Sequence, residues 1–178
     1  MRSRRGWLWI VLVGAACIGY QWLVHAVIVS APPPSVRAGL SILNGVPHAA
    51  VNLFLLWLFG RTLIGDREAL ITGFARRAHG TLPGYIESYT RQVTAAWCVF
   101  FAAQVLVSAI LFLAAPVDAW SLFVNVLSFP LIVLMFIGEY LFRIRRFPDY
   151  PHVSIWQGIQ AFVGRAEVAR PTDTPSRN

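Results

Sequence analysis

Seven polar side chains stand in apolar sequence at spacings that suit chemistry. Asn44, His48 and Asn52 recur every four residues, with Ser41 near their stripe, and Gln21 and His25 are also four apart. Gln104 and Asn125 stand singly in later apolar runs. On a helix, residues four apart share a face. Carboxamides both donate and accept hydrogen bonds, and an imidazole with an unperturbed pKa near 6.5 can pass a proton. In an apolar medium such groups turn toward one another. Two uses follow. One is hydrogen bonding between helices, worth about 0.6 kcal/mol per bond on average. The other is a polar site for a headgroup, proton or substrate, centred on His48 and Gln104.

A second set lies in the polar stretch 60–94. His79, Glu87, Tyr89 and Arg91 could supply acid–base and anion-binding groups at a membrane interface. Gly84 stands five residues after His79, so the His-x4-Asp spacing of the common acyltransferases is missing. Arg76 and Arg77 suit anionic headgroups or an acidic partner surface. Glu139 is the one acid inside an apolar run, and Arg61 and Arg91 should lie at its level, which predicts an ion pair anchoring that run. There is no P-loop and no GxSxG. No Cys/His cluster has zinc-ligand spacing, so neither metal nor cofactor is expected. Cys17 and Cys98 should differ in depth by roughly 10 Å at the helical rise, too far for a bridge.

The elements that carry these residues follow from composition. The chain has 178 residues, 57% hydrophobic and 13% charged, against about 25% charged in a soluble domain. Crossing a ~30 Å hydrocarbon core takes roughly 20 apolar residues. Four such runs are present: 7–29, 39–59, 95–115 and 120–142. The first follows the basic start MRSRRG, and its 23 residues exceed the ~7–15 of a signal peptide's apolar region. It is expected to remain as a helix. The triple proline of SAPPPSVR makes 30–38 a stiff turn, and Pro116 makes 116–119 a tight one. Pro47 and Pro130 fall inside runs and should kink them or be satisfied by neighbours.

The central loop reads as an amphipathic helix over 66–78, with Leu70, Ile71, Phe74 and Ala78 on one face. Gly80 suits its C-terminal cap, and a helix from 83 should continue into the third run. In the tail, Ser154 opens an interfacial helix over 154–163 carrying Trp156. All fifteen basic residues are arginine, and the net charge is +7. Fourteen arginines lie in the N-tail, central loop and C-tail, and only Arg37 lies in a short turn. They flank apolar runs and form no stripe, which argues against nucleic acid. The positive-inside rule places both termini and the loop in the cytoplasm. The predicted fold is therefore an all-α membrane protein with four transmembrane helices, N-in and C-in, with a cytoplasmic amphipathic helix and a C-terminal interfacial helix.

The run RTLIGDREALITGFARRAHGTLPGYIESYTRQVTAAWCVFF resembles a family of small bacterial inner-membrane proteins, as does WSLFVNVLSFPLIVLMFIGEYLFRIRRFPDYPH. That family accompanies biosynthetic clusters for aryl polyene and xanthomonadin-like pigments. The resemblance covers most of residues 40–155 and implies an accessory role in making or placing an acyl-polyene lipid in the inner membrane. It implies as partners membrane lipids and an acyl carrier protein, ketosynthase or membrane acyltransferase of the same cluster. No catalytic residue is carried over. Three functions are in contention: a non-enzymatic scaffold or lipid-handling accessory, an interfacial enzyme acting on an acyl or phospholipid substrate, and a transporter or flippase subunit that would have to form a homo-oligomer.

Overall fold

Prolines set where three of the helices begin. The computed structural model describes residues 2–30 and 33–148, without the side chains of 2–11, 13, 78 and 79. Every regular element among the described residues is a helix. Helix α1 spans Arg2–Ser30. Helix α2 spans Pro34–Gly60, opening five residues before the expected start because Pro33 caps it and Pro34 occupies its first turn. Helix α3 covers Leu70–His79, α4 covers Gly84–Ala114, and α5 covers Val117–Arg146. Helix α5 also outruns its apolar segment at both ends. Pro116 starts it, Asp118 sits favourably in its first turn, and Arg143, Arg145 and Arg146 lie at the negative end of its dipole.

Three helices, α2, α4 and α5, are long and apolar enough to cross a membrane. In α1 the apolar stretch with described side chains includes Gly14–Ser30. Burial runs opposite to that of a soluble protein. Leu43 and Leu113 are 72% and 83% exposed, while Ser41, Gln104, Ser121 and Asn125 are buried. This is the arrangement a hydrocarbon solvent selects, since it rewards no apolar burial and gives polar groups no partner.

The inward face of α4 organises the bundle. Tyr89, Val93, Trp97 and Phe101 form an apolar cluster with Leu55, Phe59 and Met135. One turn on, the same face becomes polar at Gln104 and Ser108. A second cluster of Trp120, Phe123 and Val124 closes the far end. Helix α3 docks on α4 through Thr72 and Thr90, whose hydroxyls are 2.7 Å apart, and through the Ile71 amide on Thr94 Oγ1 at 3.3 Å.

Helix α3 starts four residues later than the periodicity predicts. Thr62 Oγ1 takes the Leu70 amide at 3.0 Å, and Gly65 at φ 68° turns the chain before it. Its apolar face also splits, with Ile71 packing inward and Phe74 exposed. Gly80 caps it with positive φ. Helix α4 then runs unbroken from Gly84. The tail helix 154–163 and Trp156 lie outside the described residues.

Pro47 is carried within an unbroken α2. Pro130 has a larger effect, since the turn before it, Phe123–Leu127, is a π-helix. Proline has no N–H for the carbonyl four residues back, and its ring crowds that carbonyl. A widened turn just upstream relieves the crowding, and Ser121, Asn125 and Ser128 in and around it are buried in the bundle.

Candidate functional site

The π-turn of α5 gathers the polar residues of three other helices. Asn44 Nδ2 donates to Asn125 Oδ1 at 2.7 Å. Asn125 Nδ2 donates to the Ser121 carbonyl at 3.0 Å and to Ser121 Oγ at 3.1 Å. His25 Nδ1 lies 3.0 Å from the same hydroxyl. One relay thus joins α2 to α5 and α5 to α1. A second layer lies about one turn away. His48 Nε2 is 3.2 Å from Ser128 Oγ, which donates to the Phe123 carbonyl at 3.0 Å and reaches Gln104 Oε1 at 3.3 Å. Asn52 Nδ2 returns to the His48 carbonyl at 2.8 Å.

Six of the seven polar residues of the apolar runs therefore make hydrogen bonds. The seventh, Gln21, faces the space between α1, α2 and α5. That space is a groove of about 660 Å³. Its polar side holds Gln21, Asn44, His48, Asn52, Gln104 and Asn125. Its apolar walls include Leu23, Leu43 and Val51, all exposed on the bundle's outer surface, so the groove opens sideways. A further groove of about 480 Å³ shares Gln21, Asn125 and Phe129 with it and lies along α1 and α5.

The relay depends on Ser121 and Ser128, which the sequence reading passed over. Their signal was present: Ser121, Asn125 and Ser128 form an i, i+4, i+7 stripe on α5. Small hydroxyls carry little weight in a hydropathy pattern, so the stripe stays hidden until its partners are known. Ser108 is a similar case. Its Oγ accepts the indole N–H of Trp120 at 3.2 Å, which satisfies the one polar group of a fully buried ring.

The loop residues are engaged elsewhere. Arg76 pairs with Glu68 at 3.2 Å and with Glu87. Tyr89 is buried and donates to Glu139 Oε1 at 3.1 Å. Arg91 donates to the carbonyls of Leu63 at 2.7 Å and Arg67 at 3.4 Å, tying the turn 61–69 to α4. Contrary to expectation, neither Arg61 nor Arg91 is the partner of Glu139. Glu139 is partnered by Arg143 at 3.1 Å, one turn on in the same helix. Helical spacing brings Arg143 alongside at no loop-ordering cost, while Arg61 lies over the Trp57 ring at 4.5 Å. Arg77 lies beside exposed Phe74, its guanidinium 6.0 Å from the ring. The side chain of His79 is outside the described set.

Among the described residues no group of three His, Cys, Asp or Glu side chains is placed to hold a metal ion. Cys17 and Cys98 are both free thiols. The chain matches no protein-family model, no curated protein and no solved structure.

Proposed function

We propose that this chain is an integral inner-membrane accessory protein that holds a long-chain amphiphile within the bilayer, in support of fatty-acyl or aryl-polyene-type lipid synthesis or placement. On this reading it crosses the membrane four times with both termini in the cytoplasm. The observation that carries it is the sideways-opening groove, with exposed apolar walls and a polar side midway along α2. Its volume falls in the ~300–1,000 Å³ range of ligand sites. A membrane helix gains nothing by leaving such a groove open, because lipid tails fill apolar gaps but give no partner to carboxamides and imidazoles. The alternative reading, an interfacial enzyme, loses support from the loop. Glu87, Tyr89 and Arg91 each hold a fixed structural partner, and they do not converge on one another. An acyl carrier protein or membrane acyltransferase would meet the cytoplasmic face around Phe74 and Arg77. Arg76 is the weaker choice there, because two carboxylates already neutralise it.

Topology is tested by reporter fusions. A reporter joined after Arg77 is expected to report cytoplasm, and one joined after Pro116 periplasm. The reverse at either position overturns the four-crossing arrangement. Function is tested in the native strain by lipid analysis. Val51→Trp fills the groove and is expected to lower lipid or pigment output to that of a deletion, while Leu53→Trp, on the same helix but outside the groove, leaves it unchanged. His79→Ala and Glu87→Gln should keep output within about threefold, far from the 10²–10⁴ lost with an acid–base group. Equal output from Val51→Trp and the unsubstituted protein would remove the groove from the function. Loss of output with His79→Ala at normal protein levels would favour the enzyme.

A further inference from the structure

We infer that the groove takes a long-chain carboxylic acid, its carboxyl end held between His48 and Gln104. The inference rests on the amphiphile-handling reading above and names the head group. It follows from hydrogen accounting at Ser128. The serine has one proton, and its oxygen lies 3.0 Å from the Phe123 carbonyl and 3.3 Å from Gln104 Oε1, both acceptors. The proton is shared between those two. The contact with His48 Nε2 at 3.2 Å must then run the other way, with the imidazole N–H donating. This assignment of the tautomer leaves His48 Nδ1 as a bare acceptor.

Among the described residues, two groove-lining nitrogens are buried with no hydrogen-bond partner, His48 Nδ1 and Gln104 Nε2. Gln104 is only 3% exposed. One acceptor and one amide donor thus lie on the two sides of the same serine. Both atoms are closed to solvent, so docking requires the two side chains to turn toward the groove they line. A carboxylic acid is the complementary group, since its O–H donates to Nδ1 and its C=O accepts from the amide.

Charge decides against the commoner lipid heads. No charged residue lines the groove. A phosphate stays ionised at neutral pH and would be a buried charge with no counter-charge. The imidazole and a carboxylic acid share one proton between them and carry no net charge wherever that proton sits. An alcohol offers a single oxygen, and an ester only acceptors. The tail would follow the walls formed by Leu23, Val27, Leu43 and Val51.

The test uses the full chain in detergent and a long-chain fatty acid bearing a mid-chain diazirine. Photolabelling is mapped by peptide mass spectrometry and competed with oleic acid, oleyl alcohol and methyl oleate. Label is expected in α2 and α5 peptides that line the groove. Oleic acid should compete about tenfold better than the alcohol and better still than the ester, the scale set by leaving a buried polar group unpaired. His48→Phe and Gln104→Leu should each weaken labelling about tenfold and erase the preference for the acid, while Leu106→Ala, on the outer surface of α4, changes neither. Equal competition by all three amphiphiles overturns the carboxyl assignment and leaves the lipid-handling reading standing. Absence of competable label in the groove overturns both. The competitor series on the unsubstituted protein decides the matter even if a variant fails to fold.

Discussion

Replacing Gly45 by leucine is expected to destabilise the bundle by about 3 kcal/mol, the upper end of ordinary overpacking costs, and to lower its accumulation in the membrane. A Cβ at position 45 would lie 2.8 Å from Cζ2 of Trp120 and 3.3 Å from Cη2. Trp120 cannot withdraw easily. It is 2% exposed, its N–H is held by Ser108, and Phe112 meets its ring edge-on at 5.4 Å. Alanine is the informative intermediate. It gains up to ~1 kcal/mol in helix propensity over glycine but meets the same contact, so the net effect should still be a loss. Gly39→Ala, in the same helix with open space around it, should be neutral or stabilising. Unfolding in detergent, followed by tryptophan fluorescence, measures all three. A Gly45→Leu protein as stable as the parent would mean that α2 and α5 do not meet at this point. Partial recovery in a Gly45→Leu, Trp120→Ala double variant would confirm that the ring is the obstacle.

Substituting Asn125 by leucine is expected to cost about 2 kcal/mol, more than a single interhelical bond supplies. Asn125 is the node of the relay. It accepts from Asn44 and donates twice to Ser121, and it is 2% exposed. Its loss leaves the Asn44 amide without its partner and removes one of the two side chains that meet Ser121 Oγ, the other being His25. The cost of orphaned groups exceeds the value of the bonds themselves. The double variant Asn44→Leu, Asn125→Leu should therefore be more stable than Asn125→Leu alone, because it removes the stranded amide together with its acceptor. Additive losses in that cycle would show that the two amides are uncoupled and that the relay does not join α2 to α5. A loss confined to lipid binding, with stability unchanged, would instead place Asn125 in the ligand's environment.

The Asn125 prediction and the carboxyl assignment converge on the π-turn and the serine that follows it. Ordinary α-helical geometry from Val117 onward would set Ser128 at a different angle relative to Ser121, because each residue of the wider π-turn advances by a smaller angle. The turn disturbed by the proline thus lies between the two hydroxyls that meet His25, His48 and Gln104. In α3, the pairing of Arg76 with Glu68 and Glu87 leaves Arg77, beside exposed Phe74, as the cation not held by a carboxylate there.

The sequence by itself determined the class of the protein and the polar stripe of α2. Hydrocarbon imposes one requirement, that backbone groups be satisfied within the segment, and long apolar runs bounded by arginine and proline suit it as helices. The four-residue spacing of Asn44, His48 and Asn52 was legible because a helix's own geometry puts them on one face. Gly80 and the unbroken α4 were legible from local chemistry too. What a stripe faces is a different matter, since it depends on the rotation of another helix. The partners Ser121 and Ser128 flank a π-turn whose position the proline hints at but whose register only packing decides. Glu139 found Arg143 and Tyr89 in place of Arg61 and Arg91, because a same-helix neighbour and a docked ring are nearer than residues across a loop. Helix α3 began at Leu70 because Thr62 and Gly65 stop the turn before it. In each case a local rule fixed the element, and contact between elements fixed which of its side chains met, so the groove with its unpaired nitrogens belongs to the tertiary structure alone.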